Sequence, residues 1–136
     1  MEVCVCFCYN KKRITIQKYQ NSNTIKTREG KNMETMQGKK NIVLIGMPGA
    51  GKSTVGVVLA KRLGYRFLDS DLVIQEQTKK LLHELITEYG VDGFLKIEED
   101  INAGLDCEQA VIATGGSVIY GEKAMEHLRK IGCVVY

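Results

Sequence analysis

The segment NIVLIGMPGAGKSTVG, Asn41 to Gly56, constrains this chain more than any other. It holds Gly46, Gly51, Lys52 and Ser53 at the spacing G-x-x-x-x-G-K-S, with a further glycine at Gly49. The apolar run Ile42-Val43-Leu44-Ile45 before it predicts a buried parallel strand. Behind it, Val55, Val58, Leu59 and Leu63 follow a helical period over Thr54 to Leu63, with Gly64 as the stop. Glycines between a strand and a helix are the context that a phosphate-holding loop requires.

The chemistry follows from that placement. Backbone N–H groups of the loop and of the helix N-terminus attract anionic oxygens. Glycine permits positive φ and a close backbone approach. Gly46, Gly49, Ala50, Gly51, Lys52, Ser53 and Thr54 are therefore the candidate nucleotide-binding residues. Lys52 supplies a point charge for the β- and γ-phosphates, and the Ser53 hydroxyl is a candidate Mg²⁺ ligand. Pro48 stands where a dinucleotide fingerprint needs its second glycine, which excludes that motif.

Composition bears on the partners. The 136 residues, 44% hydrophobic with net charge +3, suit one small globular domain. The charge is uneven. Residues 1–40 hold nine Lys/Arg against three Asp/Glu, and residues 41–136 hold ten against thirteen. The folded part is acidic, which argues against a nucleic-acid surface. No apolar stretch reaches the roughly 20 residues of a membrane-spanning helix. Residues 1–40 read as a leader unlike the rest, without a helical period and expected to be disordered or mis-annotated. Cys4, Cys6 and Cys8 alternate there, but no histidine or C-x-x-C partner supports a metal or redox cluster. Charges follow the short apolar run instead of preceding it, which is the wrong order for a signal peptide. Arg28-Glu29-Gly30 can be encoded by a purine run resembling a ribosome-binding site, so translation is expected to start at Met33 or Met36. Without the leader only Cys107 and Cys133 remain, which fits a reducing cytoplasm. Oligomeric state has no signature in the sequence.

The remaining segments alternate strand and helix. Tyr65 to Leu68 is a short predicted strand ending in Asp69-Ser70-Asp71. Acids at a strand's C-terminal end lie where open α/β sheets bind ligands. One acid suits a magnesium ion and the other a hydroxyl to be phosphorylated; aspartate at this place is also a good helix N-cap. Leu81, Leu82, Leu85 and Ile86 predict an amphipathic helix broken at Gly90, with His83 on its polar flank. A second helix follows to about Leu105, its apolar side made of Phe94, Leu95, Ile97 and Ile101. Ala110 to Ala113 is a buried strand leading into Thr114-Gly115-Gly116-Ser117. A helix ending at Gly132 and a strand at Cys133 to Tyr136 complete the chain. Strands near 42–46, 66–69, 110–113 and 133–136, with helices between them, predict right-handed crossovers and a parallel sheet in a three-layer α/β/α fold.

Taken in order, the loop Gly46 to Ser53, the pair Asp69 and Asp71, and the double glycine Gly115-Gly116 resemble the shikimate kinase family of phosphate-loop small-molecule kinases. The resemblance spans residues 41–136, a kinase domain expected to lack the family's lid, second substrate arginine and last strand. It implies ATP and Mg²⁺ as cofactors and a small-molecule acceptor, most simply shikimate. Lys52 and the loop amides would cradle the ATP phosphates, with Lys52 and Asp71 catalytic. Ser53 and Asp69 would hold Mg²⁺. Asp71, Glu98, Gly115 and Gly116 would line the acceptor site, the glycines offering bare backbone to it. Two alternatives stand beside this reading: a nucleotide-binding or regulatory module without substrate anchors, and a kinase for another small hydroxylated compound.

Two positions depart from the family pattern. Leu95 occupies the place of an arginine that grips the substrate carboxylate, and Ser117 the place of a third glycine. Lys96 lies about 100° further round the helix and does not replace that arginine. Loss of a charge-assisted contact weakens binding by about 1.5–3 kcal/mol, roughly ten- to a hundred-fold. The full-length protein is therefore expected to bind shikimate weakly, or to prefer an acceptor without a carboxylate there. Steady-state kinetics of wild type beside Leu95→Arg checks this: the arginine should lower the shikimate KM. A low-micromolar wild-type KM that the arginine leaves unchanged would place the anchor elsewhere.

Overall fold

The computed structural model describes residues 41–136 and, before them, the backbone of three strands, β1 (Val5–Tyr9), β2 (Lys12–Tyr19) and β3 (Ser22–Thr27). The chain divides into two compact units, Met1–Lys39 and Lys40–Tyr136. In the first, the segment without a helical period forms an antiparallel meander in the order β1-β2-β3, with Tyr9 opposite Lys12 and Tyr19 opposite Ser22. Cys4, Met33 and Met36 lie outside the described residues, so neither the cysteine cluster nor the start site is addressed there.

The second unit is the parallel α/β domain that the alternation predicts. Its elements run β4 (Asn41–Leu44), α1 (Lys52–Leu63), β5 (Arg66–Asp69), α2 (Ser70–Thr78), α3 (Leu82–Ala103), β6 (Ala110–Ala113), a 3-10 turn (Val118–Tyr120), α4 (Glu122–Ile131) and β7 (Gly132–Val135). The sheet order is β5-β6-β4-β7, all parallel. The step from β4 to β5 runs in the opposite sense to the steps from β5 to β6 and from β6 to β7. Right-handed crossovers therefore put α1 on one face and α3 with α4 on the other, which is the three-layer arrangement. The reversal falls between β4 and β6, so the loops after these two strands open a crevice at their C-terminal ends.

Side-chain alternation decides which core each strand residue joins. Val43, Ala110 and Ile112 face the α4 side, where they pack with Leu105, Val118, Met125 and Leu128. On the other face α1 presses unusually close. A Cβ on Gly56 would stand 2.6 Å from Phe67 and 3.3 Å from Leu44, so glycine sets the helix-to-sheet distance. That contact rotates α1 from the periodicity expected for it. Leu59 and Ala60 are buried beside Gly56, whereas Val58, expected inside, is 53% exposed. Gly64 ends α1 in the left-handed conformation, as its composition predicts.

Gly132 ends α4 as expected, its N–H donating to the Leu128 carbonyl, and has a second role. Its φ of -153° is extended, and it is the first residue of β7. A Cβ there would meet Val43 at 2.9 Å and Asn41 at 3.1 Å, so glycine is needed for close strand pairing. In α3 the break at Gly90 is present, with φ 71° and ψ 176° between two helical halves. The expected apolar side of the first half is only partly covered: Leu85 is buried, while Leu81 and Ile86 are 51% and 41% exposed. In the second half the fully buried residues are polar, Glu98 and Asn102, one turn apart. The Asn102 amide donates to the Glu98 carbonyl at 2.8 Å. Glu99, the next residue, caps α4: its Oε1 accepts from the Lys123 N–H at 2.9 Å, because Gly121 has no side chain to do so.

At the opposite end of the sheet from the crevice, Asn41 is buried and fully bonded. Its amide donates to the Cys107 carbonyl at 2.7 Å and the Ile131 carbonyl at 3.0 Å, and its oxygen accepts from the Ala110 N–H at 3.0 Å. Replacing it by alanine would strand three buried backbone groups, each costing about 1–3 kcal/mol. Asn41→Ala is expected to lower unfolding stability by about 3 kcal/mol or more in urea titrations, against a change within about 0.5 kcal/mol for the exposed Lys61→Ala.

Candidate active site

The loop after β4 has the backbone that its glycines predict. Gly46, Gly49 and Gly51 all have positive φ, at 143°, 75° and 83°. Gly51 stands at the N-cap of α1 without a side-chain cap, so the first-turn amides of Lys52, Ser53 and Thr54 keep their hydrogens for a ligand. The Ala50 N–H donates to the Met47 carbonyl at 3.2 Å within the loop. The Lys52 ammonium is held by the carbonyls of Gly46 and Met47, at 2.7 and 2.8 Å. Gly46 thus shapes the loop and orients Lys52 without lining the cavity.

Asp69 and Asp71 divide their work. Asp69, the last residue of β5, uses Oδ1 to cap α2 through the Asp71 N–H at 3.0 Å. Its Oδ2 accepts from the Ser53 hydroxyl at 2.8 Å. The capping acid and the candidate metal-binding acid are one residue, and Asp71 is left for other chemistry. Burial and the neighbouring Asp69 push the Asp71 carboxyl above the ordinary aspartate range, against the lowering effect of Lys52.

A cavity of about 550 Å³ joins these pieces. The phosphate loop, with Lys52, Ser53 and Thr54, lines it together with Asp71, Glu98, Gly115 and Gly116, and Leu82, Ile86 and Phe94 of α3 add apolar surface. Sequence reasoning did not assign Leu82 and Ile86 to a site; their half-covered side is explained by the cavity. Leu95 is not among the lining residues.

The turn after β6 is built by hydrogen bonds that the sequence did not disclose. Thr114 donates through its N–H and its hydroxyl to the Leu44 carbonyl, at 3.1 and 3.0 Å. The Gly115 N–H donates to the buried Ser70 hydroxyl at 3.2 Å. The two glycines are needed for contacts inside the protein. A Cβ on Gly115 would collide with Glu98 Oε1 at 2.2 Å and approach Asp71 Oδ1 at 3.1 Å. A Cβ on Gly116 would meet two carbons of the Pro48 ring at 2.5 Å. The direction a side chain would take is thus filled by the phosphate loop at Gly116, where bare backbone for an acceptor was expected. Glu98 is 2% exposed and accepts a short hydrogen bond from the Ser117 hydroxyl. Burial raises its carboxyl above the ordinary glutamate range, Ser117 opposes this, and Asp71 adds to it. The serine in the place of a glycine was the available signal for this bond.

Which ion the site could hold follows from its donors. Ser53 and Asp69 present two hard oxygens in contact, which fits Mg²⁺ with water and phosphate completing its shell. Among the described residues no group of three or more His, Cys, Asp or Glu forms a metal cage, and Mg²⁺ in this setting needs none. Among the described residues no helix is long and apolar enough to cross a membrane.

Comparison with known proteins gives one consistent answer. The shikimate kinase family model matches residues 48–136. A shikimate kinase from a Nostoc species is 46% identical over 89 residues, 65% of this chain and 49% of that protein. One from Clostridium botulinum is 43% identical over 99 residues, 72% and 59% of the two chains. Among solved structures, a shikimate kinase from Acinetobacter baumannii in complex with shikimate aligns with TM-score 0.69 and 38% identity, covering 74% of this chain and 57% of that one. The Aquifex aeolicus shikimate kinase gives TM-score 0.63 and 32% identity, covering 69% and 60%. The chain spans about half to three fifths of the length of these relatives.

The contact between Gly116 and Pro48 generates a test. Gly116→Ala must displace the ring, and with it the phosphate loop. Binding of a non-hydrolysable ATP analogue, measured by calorimetry, should weaken at least tenfold, while the urea midpoint changes little. Unchanged affinity would show that the two loops are independent.

Proposed function

This chain belongs to the shikimate kinase family, and we propose on that footing that it forms the nucleotide-binding part and much of the acceptor-binding part of an enzyme that transfers the γ-phosphoryl group of ATP to a hydroxyl of shikimate. The observation that carries the reading is the one cavity that Lys52, Ser53 and Asp71 line together. A phosphate loop alone describes many nucleotide-binding proteins; a half-buried carboxylate, Asp71, lining the same cavity gives the phosphoryl group a destination other than water.

The residues act by position and charge. The amides at the start of α1 and the Lys52 ammonium hold the phosphates and offset the charge that develops on the transferring group. Asp71 accepts a hydrogen bond from the attacking hydroxyl, and its raised proton affinity suits it to receive that proton. Ser53 and Asp69 are the residues that would hold Mg²⁺, which supplies charge neutralisation on the β- and γ-oxygens when bound. Gly115 lets Glu98 and Asp71 approach the acceptor end together.

A kinase for another small hydroxylated compound is the second reading. Leu95 and the lack of any cation paired with Glu98 among the described residues favour it. The buried Cys107 thiol accords with a reducing cytoplasm, where we place the protein. Turnover of ATP with shikimate and related hydroxy acids, in a chain that includes any downstream residues, tests the function. Lys52→Ala should abolish transfer, by at least about a hundredfold, with far-UV circular dichroism unchanged. Retained turnover in that variant would refute the assignment, and shikimate-independent ATP binding alone would favour a regulatory module.

A further inference from the structure

Glu98 is 2% exposed, and what remains open of it lines the cavity. Its two carboxyl oxygens stand in different surroundings. Oε2 is taken by the Ser117 hydroxyl. Oε1 has no hydrogen-bond partner among the described residues, and none of their lysines, arginines or histidines forms an ion pair with the carboxyl. Nor is Oε1 sealed. Among the described residues the sealed side-chain atom without a partner is Asn102 Oδ1, so the free side of Glu98 Oε1 opens on the cavity. A polar atom withdrawn this far from water costs free energy until something donates to it. Its position is narrowly set. Oε1 lies over the Gly115 Cα, 2.2 Å from the point where a Cβ would stand, and Asp71 Oδ1 lies 3.1 Å from the same point. An oxygen from α3 and an oxygen from α2 thus flank one bare backbone position. Lys52 is the one cation that lines the cavity, and the carbonyls of its own loop hold it.

We propose that Ser117 is a positioning residue and Glu98 a specificity-determining one: the Ser117 hydroxyl holds Oε2 so that Oε1 receives a second hydroxyl of the acceptor, next to the hydroxyl that Asp71 receives. The acceptor class is then a small carbon skeleton with two adjacent hydroxyls. The proposal rests on the reading of this cavity as the acceptor site of a kinase. A hydroxyl donates to a buried carboxyl without bringing a second charge into the cavity. Two hydroxyls on neighbouring carbons reach both flanking oxygens together, with the carbons against Leu82, Ile86 and Phe94; a lone hydroxyl reaches one. Ser117 stands where the family pattern has a glycine. A glycine has no hydroxyl to give, and the Glu98 carboxyl, whose last torsion is broad, would be free to turn. A site with a buried oxygen waiting for a hydroxyl rejects an analogue without it far more strongly than a pocket that merely fits, because the oxygen is left unpaired.

The experiment is steady-state phosphoryl transfer by the full-length protein, with shikimate beside analogues that each lack one hydroxyl other than the reacting one. Expected for wild type is one analogue, still phosphorylated, whose kcat/KM falls about a hundredfold or more for want of the neighbouring hydroxyl. Glu98→Ala should cost shikimate about tenfold or more in kcat/KM and that analogue less than about threefold, since its contact is already gone. Ser117→Ala should raise the shikimate KM about fivefold at unchanged ATP KM, and Ser117→Thr, which keeps a hydroxyl, should restore it. The Ser117→Ala effect should vanish when Glu98 is alanine as well. Wild type that treats every phosphorylated analogue like shikimate overturns the proposal without any variant. So does a Glu98→Ala loss equal for shikimate and all analogues, which is what a purely structural role gives. So does a Ser117→Ala effect that persists beside Glu98→Ala. Absence of transfer to shikimate and to every analogue refutes instead the reading of the cavity as a shikimate site, and the proposal with it.

Discussion

Asn41 is the constraint on which the rest of the domain depends. A single buried amide, at the first residue of the first strand of the parallel sheet, takes the carbonyls of Cys107 and Ile131 and the N–H of Ala110. These groups sit at the entrances to β6 and β7, the neighbours of β4 on either side. Binding all three at once sets the register, Leu44 opposite Ala113 and Val135. A slip by one residue would exchange the two cores, because alternate side chains face opposite helix layers. The loops at the far ends of β4 and β6 are then brought side by side by the strand lengths alone. Burying a polar group is costly unless every hydrogen bond is made, and here the full set is made, which is why it specifies one arrangement.

The site repeats that economy in a smaller space. Asp69 holds the start of α2 with one oxygen and the Ser53 hydroxyl with the other. Lys52 is drawn back over its own loop by two carbonyls. Gly116 lets Pro48 rest on the turn after β6, so the phosphate loop and that turn share a wall. If the proposed function holds, reciprocity of linkage requires that whatever a nucleotide does to the acceptor's affinity, the acceptor does to the nucleotide's in equal measure. Direct contact between the two loops is the physical route for such coupling.

Much of this was legible in the sequence, for identifiable reasons. Motifs that act through the backbone are position-specific. The spacing of Gly46, Gly51, Lys52 and Ser53 gave the loop, and the Asp69/Asp71 pair at a strand end gave the partner of Ser53 and a further residue lining the cavity. Strand identity was also readable, because buried parallel strands such as Ala110–Ala113 are continuous apolar runs. The misses share a cause: they are contacts between segments distant in sequence. Nothing local distinguishes Ser70 or Thr114 from ordinary turn residues, yet each bonds a partner from another element. Val58 was misassigned because Gly56, which carries no hydrophobic signal, is the residue that presses on the sheet. Gly132 read correctly as a helix stop, but its close fit against Asn41 and Val43 was not readable, because the sequence does not announce that they will lie against it.

The break at Gly90 makes α3 two short rods in place of one long one. With φ at 71° and ψ at 176°, the backbone ladder does not run through this residue, and Val91 opens a helix with its own N-terminal amides. Helical cooperativity passes along an unbroken ladder, so fraying that starts at Leu82 halts at the glycine. The half bearing Leu82 and Ile86 is largely exposed and held by few buried side chains, whereas the half bearing Glu98 is locked through Asn102, Ser117 and the Glu99 cap on α4. One helix therefore contains two levels of local stability, and amide hydrogen exchange would divide it at Gly90 into a rapidly opening segment and a protected one. The apolar wall of the cavity belongs to the first and its buried acid to the second.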